Sequence, residues 1–175
     1  MAGLLDKTSI LERLDVDPPL VDGLIDRTTQ VQPNGVDLTL NLVASYAGKG
    51  TADFSNERRV LPETRALQFE DSGALHLDPG PYLVQFNEVV NLPLDLAALG
   101  RTRSSLLRSG VALHTAVWDS GYSGRSQCLL TIYNPNGFTL YRDARILQLV
   151  FLSLTKPVAE GYQGLYSGEN LPSQK

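Results

Sequence analysis

The chain has 175 residues, 42% hydrophobic and 19% charged, with 19 acidic against 15 basic side chains and a net charge of −4. That length suits one domain burying roughly 70% of its unfolded surface, and the composition excludes a disordered chain. The acidic balance argues against nucleic acid as the main partner, because counterion release needs a basic face; a small anion in a locally basic pocket stays open.

Apolar side chains recur at helical spacing over residues 4–14 (Leu5, Ile10, Leu11, Leu14), with Thr8 or Ser9 placed to cap a short helix that Pro18-Pro19 ends. From Val31 the pattern becomes that of a half-buried strand: Val36, Leu38, Leu40 and Leu42 alternate with Asp37, Thr39 and Asn41. Residues 47–60 are polar and read as a surface excursion. Further strands are expected at 74–77, 82–86, 111–117, 128–133 and 146–154, separated by turn signals such as Asp78-Pro79-Gly80-Pro81 and Asn134-Pro135-Asn136-Gly137. The lone Cys128 sits in an apolar run and reads as a buried strand residue. With only His76 and His114 it cannot complete a common zinc site, which excludes the zinc-dependent nucleobase deaminases. Residues 160–175, rich in Gly, Ser and Tyr without an apolar period, are expected to form a mobile tail. Many short strands and few helices predict an all-β sandwich or barrel, as one domain over 1–175. No apolar run approaches a membrane span and no basic-then-apolar leader opens the chain, so a cytoplasmic protein without a membrane partner is expected.

Two segments carry chemistry. Arg103-Ser104-Ser105-Leu106-Leu107-Arg108-Ser109-Gly110 reads as a helical turn capped by Ser104 and ended by Gly110. Its amides, hydroxyls and two guanidiniums suit a phosphate chain, although a solvated Ser-capped turn gives the same pattern. Residues 113–122 read as a strand running into the turn Trp118-Asp119-Ser120-Gly121-Tyr122. Asp119 there can accept a proton from water and Tyr122 can lie against a sugar, whereas the plain reading is an Asp that bonds its own turn.

Taken with Arg142-Asp143-Ala144-Arg145-Ile146-Leu147-Gln148-Leu149 and Val31-Gln32-Pro33-Asn34-Gly35-Val36-Asp37-Leu38, these motifs resemble the trimeric dUTPase and dCTP deaminase family, in order, over most of residues 31–166. The resemblance implies a distorted jelly roll of the dUTPase-like β-clip kind with a short N-terminal helix. It implies a homotrimer with sites at subunit interfaces, acting on dUTP with Mg²⁺ held by the triphosphate and water. It assigns Asp119 to orient the attacking water, Tyr122 to pack on the deoxyribose, and Arg103, Ser104, Ser105 and Gln148 to the phosphates. Arg108 follows the deaminase-branch pattern for phosphate contact, and Asp37 would support the metal's water network. Backbone groups of residues 113–117 would read uracil, with His114 and Thr115 nearby. The stretch Tyr162-Gln163-Gly164-Leu165-Tyr166 resembles the deaminase-branch tail and places Tyr162 over the nucleotide, where typical dUTPases use an Arg- and Phe-containing arm.

The two branches differ in one carboxylate. The deaminase branch uses a Glu on the strand after the turn, where this chain has Thr131, and no Glu occurs between Glu88 and Glu160. A hydroxyl cannot take and return a proton near neutral pH, so dUTP hydrolysis to dUMP and pyrophosphate is expected over dCTP deamination. A catalytically silent nucleotide-binding trimer and a broader deoxynucleotide pyrophosphatase are the remaining alternatives.

Overall fold

The computed structural model describes residues 3–171. Its first helix, α1 (Lys7–Leu14), begins at Asp6, whose carboxylate accepts from the Ser9 amide at 2.9 Å. The cap is therefore Asp6 rather than Thr8 or Ser9, because a carboxylate on the preceding residue already satisfies the first free amides. After β1 (Val21–Asp22), α2 (Arg27–Gln30) and β2 (Val31–Gln32) comes the long strand β3 (Gly35–Tyr46). Next are β4 (Thr64–Ala66), β5 (Ala74–Leu77), β6 (Gly80–Phe86), β7 (Val89–Asn91) and β8 (Leu96–Thr102). The chain continues through α3 (Ser104–Arg108), β9 (Val111–His114), β10 (Val117–Trp118), β11 (Ser123–Gly124), β12 (Gln127–Ile132), β13 (Phe138–Tyr141) and β14 (Arg145–Ser153).

The main sheet runs β10-β8-β14-β3-β6-β12-β9 and is antiparallel at every step. Its two ends, β9 and β10, are consecutive in the chain and separated only by Thr115 and Ala116. Three residue steps span at most about 11 Å, so the sheet must curl until its edges nearly meet. Thr102 stitches that closure: its hydroxyl donates to Leu113 O at 3.0 Å and accepts from Leu113 N at 2.8 Å. The outcome is the expected all-β, curled jelly roll with a short N-terminal helix. It also corrects one expectation, because residues 111–117 are two strands on opposite edges rather than one.

The interior is filled by Phe86 and Phe151 with Leu38, Leu40, Leu130, Ile146, Leu147 and Leu149, all fully buried. Each such side chain contributes about 1.5–3 kcal/mol relative to exposure. β3 departs from simple alternation: Asp37 and Thr39 are each 2% exposed, although they face away from the apolar core residues. Polar partners cover that face, as described below. A bulge between Leu40 and Leu42 shifts the register against β6, so that Val43 and Ala44, not Leu42, are the next buried residues. Cys128 is buried in β12, and burial pushes its thiol up to about 12, as befits an inert strand residue.

Residues 160–171 of the expected tail lie folded back across the turn that carries Asp119 and Tyr122. Tyr162 N donates to Ser120 O at 2.8 Å, Gly168 N to Ser123 O at 2.7 Å and Arg125 N to Glu169 O at 2.9 Å. Residues 172–175 lie outside the described residues. Among the described residues no helix is long and apolar enough to cross a membrane.

Candidate functional site

β10 delivers Asp119 to a cleft. Pairing of Val117 with Leu99 and Trp118 with Ala98 fixes the end of the strand, and alternation then sends Trp118 inward, Asp119 outward and Ser120 inward. The Ser120 hydroxyl anchors to Leu96 O at 2.6 Å. Gly121 turns the chain at φ +81°, where a Cβ would lie 2.6 Å from Gly161 Cα, so only glycine fits beneath the tail. Asp119 is exposed and lines a cleft of about 710 Å³ with Ala116, Tyr122, Tyr162, Tyr166 and Glu169. That volume suits a small-molecule ligand.

Tyr122 forms the inner wall and is 6% exposed. Its hydroxyl meets Glu169 Oε1 at 2.8 Å and Ser126 Oγ at 3.0 Å, and Ser126 Oγ also accepts from Trp118 Nε1 at 2.6 Å. The Tyr162 ring packs edge-on against Tyr122, with centroids 6.0 Å apart. Burial pushes the Tyr122 hydroxyl well above the ordinary tyrosine range, so it remains a neutral donor. Burial also raises the Glu169 carboxyl, an effect the Tyr122 hydrogen bond opposes.

A second cluster sits at the start of β3. Asp37 Oδ2 takes Arg103 Nε at 3.1 Å and Arg145 Nη1 at 3.2 Å. Burial raises the Asp37 carboxyl, and the Arg103 and Arg145 charges pull it the other way. Arg103 also donates through Nη1 to Arg145 O at 3.1 Å, so these bonds hold one edge of its guanidinium while the side chain stays 30% exposed. Gln148 pairs with Asp37 on one side and Arg101 on the other. Ser104, Ser105 and Arg108 stand exposed on α3. The cap position of α3 is Arg103, with no side-chain cap, so the expected Ser104 cap is replaced by Ser104 as the first helical residue. Gly110 ends the turn at φ +74°, as expected.

The structure thus brings Asp119, Tyr122 and Tyr162 into one cleft, and Asp37, Arg103 and Gln148 into another cluster. The cleft lining contains Ala116 and Val117 but neither His114 nor Thr115. His114 Nε2 lies 3.2 Å from the Tyr133 hydroxyl on the exposed face of β9, and Thr115 Oγ1 approaches Gly100 O. Thr131 shares a face of β12 with Gln127 and Leu129, opposite buried Cys128, Leu130 and Ile132, and does not line the cleft. No group of three or more His, Cys, Asp or Glu able to hold a metal occurs among the described residues.

Two carboxylates escaped the sequence reading. Glu169 lies in a tail without apolar period, so nothing local signals that it reaches the cleft. Glu88 is fully buried and accepts from Gln30 Nε2 at 2.7 Å, Thr39 N at 2.8 Å and Thr39 Oγ1 at 2.6 Å. Gln30 Nε2 also donates to Asp37 O at 2.9 Å, so this network covers the polar face of β3 and sets the backbone that carries Asp37. Acidic residues deep in a core are rare, which is why a lone Glu at the 87–88 turn reads as solvated.

A family model described as dCTP deaminase-like matches residues 4–154. A probable deoxyuridine 5'-triphosphate nucleotidohydrolase of Methanococcoides burtonii is 48% identical over 168 residues, covering 96% of this chain and 99% of that protein. One of Methanosarcina mazei is 47% identical, covering 95% and 98% respectively. The deoxyuridine 5'-triphosphate nucleotidohydrolase of Methanocaldococcus jannaschii is 39% identical over 79% of this chain and 88% of its own length. Among solved structures, 2'-deoxycytidine 5'-triphosphate deaminase from Agrobacterium tumefaciens superimposes with a TM-score of 0.64 at 21% identity, a likeness of fold. The match covers 87% of this chain and about half (48%) of that longer one. The chain belongs to the dCTP deaminase-like family.

Proposed function

We propose that this protein is a dUTP diphosphatase, hydrolysing dUTP to dUMP and pyrophosphate in the cytoplasm as a homotrimer. The observation that carries the reading is the exposed Asp119 carboxylate, held by a paired strand at the mouth of a cleft walled by Tyr122. A carboxylate so placed can take the proton of a water as it attacks a phosphorus atom, while the buried ring leaves little room for a 2'-hydroxyl. Two of the relatives named above, those of Methanococcoides burtonii and Methanosarcina mazei, are nearly half identical over almost the whole chain and carry the matching name. Thr115 and Ala116 lie between β9 and β10, outside both ladders. Of the two, Ala116 lines the cleft, and its backbone groups are the ones we assign to reading the uracil edge.

Charge argues for the trimer. Among the described residues the cleft is lined by Asp119 and Glu169 and by no Lys or Arg. A triphosphate beside two carboxylates would be repelled by several kcal/mol at an effective dielectric of about 20. The cationic and hydroxyl groups suited to phosphate (Arg103, Ser104, Ser105, Arg108, with Gln148) stand elsewhere on the protomer, so a neighbouring copy is the natural source. Oxygen-rich phosphates and water suit Mg²⁺, which needs no protein cage and would neutralise the triphosphate as it is cleaved. Asp37, buried against two guanidiniums, has no side-chain surface to spare for that metal. Among the described residues that line the cleft, Glu169 is the only carboxylate besides Asp119; it is committed to the Tyr122 hydroxyl, and Thr131 lies outside the lining, so no second free carboxylate is placed there for cytosine deamination.

The reading predicts that Asp119→Asn lowers kcat for dUTP at least a thousandfold while the nucleotide Kd changes less than about threefold. Rapid-quench turnover and isothermal titration measure the two. Near-normal turnover in Asp119→Asn would remove Asp119 from the role of base.

A further inference from the structure

Hydrogen-bond arithmetic gives the chain of groups behind the cleft a single direction. The indole Nε1 of Trp118 can only donate, so Ser126 Oγ accepts from it at 2.6 Å. An ionised Glu169 can only accept, so the Tyr122 hydroxyl spends its proton on Oε1 at 2.8 Å. The Ser126 proton is then left for the Tyr122 oxygen at 3.0 Å. The run Trp118 to Ser126 to Tyr122 to Glu169 is therefore fully satisfied only when Glu169, at the far end of the chain, is in place.

The surrounding backbone is built for that arrival. Gly121 and Gly161 touch: a Cβ on either would come within 2.9 Å of the other's Cα. Gly124 leaves the space in which the two groups meet, since a Cβ there would lie 2.7 Å from the Tyr122 hydroxyl and 3.1 Å from Glu169 Cγ. Backbone bonds Gly168 N to Ser123 O and Arg125 N to Glu169 O set the tail at the height of the Tyr122 hydroxyl, and Asn170 Nδ2 adds a bond to Arg125 O at 2.9 Å.

We propose that Glu169 is a positioning residue: docked through the tail of the same chain, it fixes the Tyr122 hydroxyl and thereby the ring that forms the sugar wall of the cleft. Seating of the tail and shape of the sugar wall then become one event. The proposal rests on the dUTPase reading for the role of the Tyr122 ring, and not for the latch itself.

Trp118 is the only tryptophan of the chain, so its emission reports the state of the relay without nucleotide. In the full-length protein, Glu169→Ala should shift Trp118 emission and speed amide exchange at Arg125 and Gly168 at least tenfold. Glu169→Gln, which keeps a carbonyl acceptor, should recover most of both signals. With dUTP, Glu169→Ala and Tyr122→Phe should each raise KM roughly tenfold with a smaller effect on kcat, and the double variant should be no worse than Tyr122→Phe alone, which already lacks the bond to Glu169. Additive KM effects, or a Glu169→Ala protein with unchanged emission and exchange, would overturn the latch. Altered emission and exchange in a protein that does not hydrolyse dUTP would keep the latch and overturn the dUTPase reading instead.

Discussion

At Glu88 a carboxylate lies in the core, its oxygens taken by one amide side chain, one backbone amide and one hydroxyl. Burial nevertheless raises its carboxyl above the ordinary 4.5, with the Thr39 and Gln30 bonds opposing the shift. A raised carboxyl means the folded state holds a proton that the unfolded state has released. The stability contributed by Glu88 is therefore full below the unfolded value near 4.5 and is lost as pH rises through the higher folded value. Urea midpoints measured across that window should fall with pH more steeply in the wild type than in Glu88→Gln, which has no proton to release. Equal slopes would show that Glu88 does not titrate on unfolding. Glu88→Ala should cost about 3 kcal/mol while the folded-state Glu88 is protonated and less as pH rises through its folded value, since Gln30 and Thr39 would be left with unpaired donors beside a new cavity.

Elements show where the sequence speaks and where it is silent. Strands β3, β5, β6, β12 and β14 were legible because β-branched and apolar residues mark them and Pro-Gly or Asn-Pro turns bound them. β8 was not: Leu-Ala-Ala-Leu-Gly-Arg-Thr carries little strand propensity, and its place between β10 and β14 is decided by tertiary pairing. The break at Thr115 and Ala116 was hidden for a related reason, since an apolar run reads the same whether it stays on one edge or crosses to the other. Of the candidate site, the pairing of Asp119 with Tyr122 in one turn was legible because it is a short motif, whereas the 103–105 segment reads as a local motif but stands outside the cleft lining. Glu169 and the Asp37–Arg103–Arg145 cluster were not, because only the folded chain brings those residues together. Closure itself can be tested at Thr102, whose hydroxyl makes both bonds to Leu113. Thr102→Val should destabilise the protein by about 1–3 kcal/mol in urea titration, with little change in volume. Thr102→Ser, which keeps the hydroxyl, should recover most of that loss; equal losses in both would assign the effect to packing.

In the assembled protein, the cleft and the cationic cluster stand apart on one chain, and the proposed trimer would join them across its subunit contacts. Sedimentation should give three times the 19.1 kDa chain mass. Sharing of sites makes a sharper prediction. Asp119→Asn and Arg103→Ala should each be nearly inactive alone, yet refolding them together should restore activity at roughly a quarter of the sites, those drawing Asp119 and Arg103 from different unimpaired copies. No recovery would place both residues of a site on one chain. Product analysis tests the dUTP diphosphatase assignment itself. Purified protein with Mg²⁺ would be incubated separately with dUTP, dCTP, dTTP and UTP, and the nucleotides resolved by chromatography. Under that assignment dUTP should give dUMP and pyrophosphate, with the other three nucleotides left essentially intact. Release of dUTP or dUMP from dCTP, or equal cleavage of all four, would contradict it.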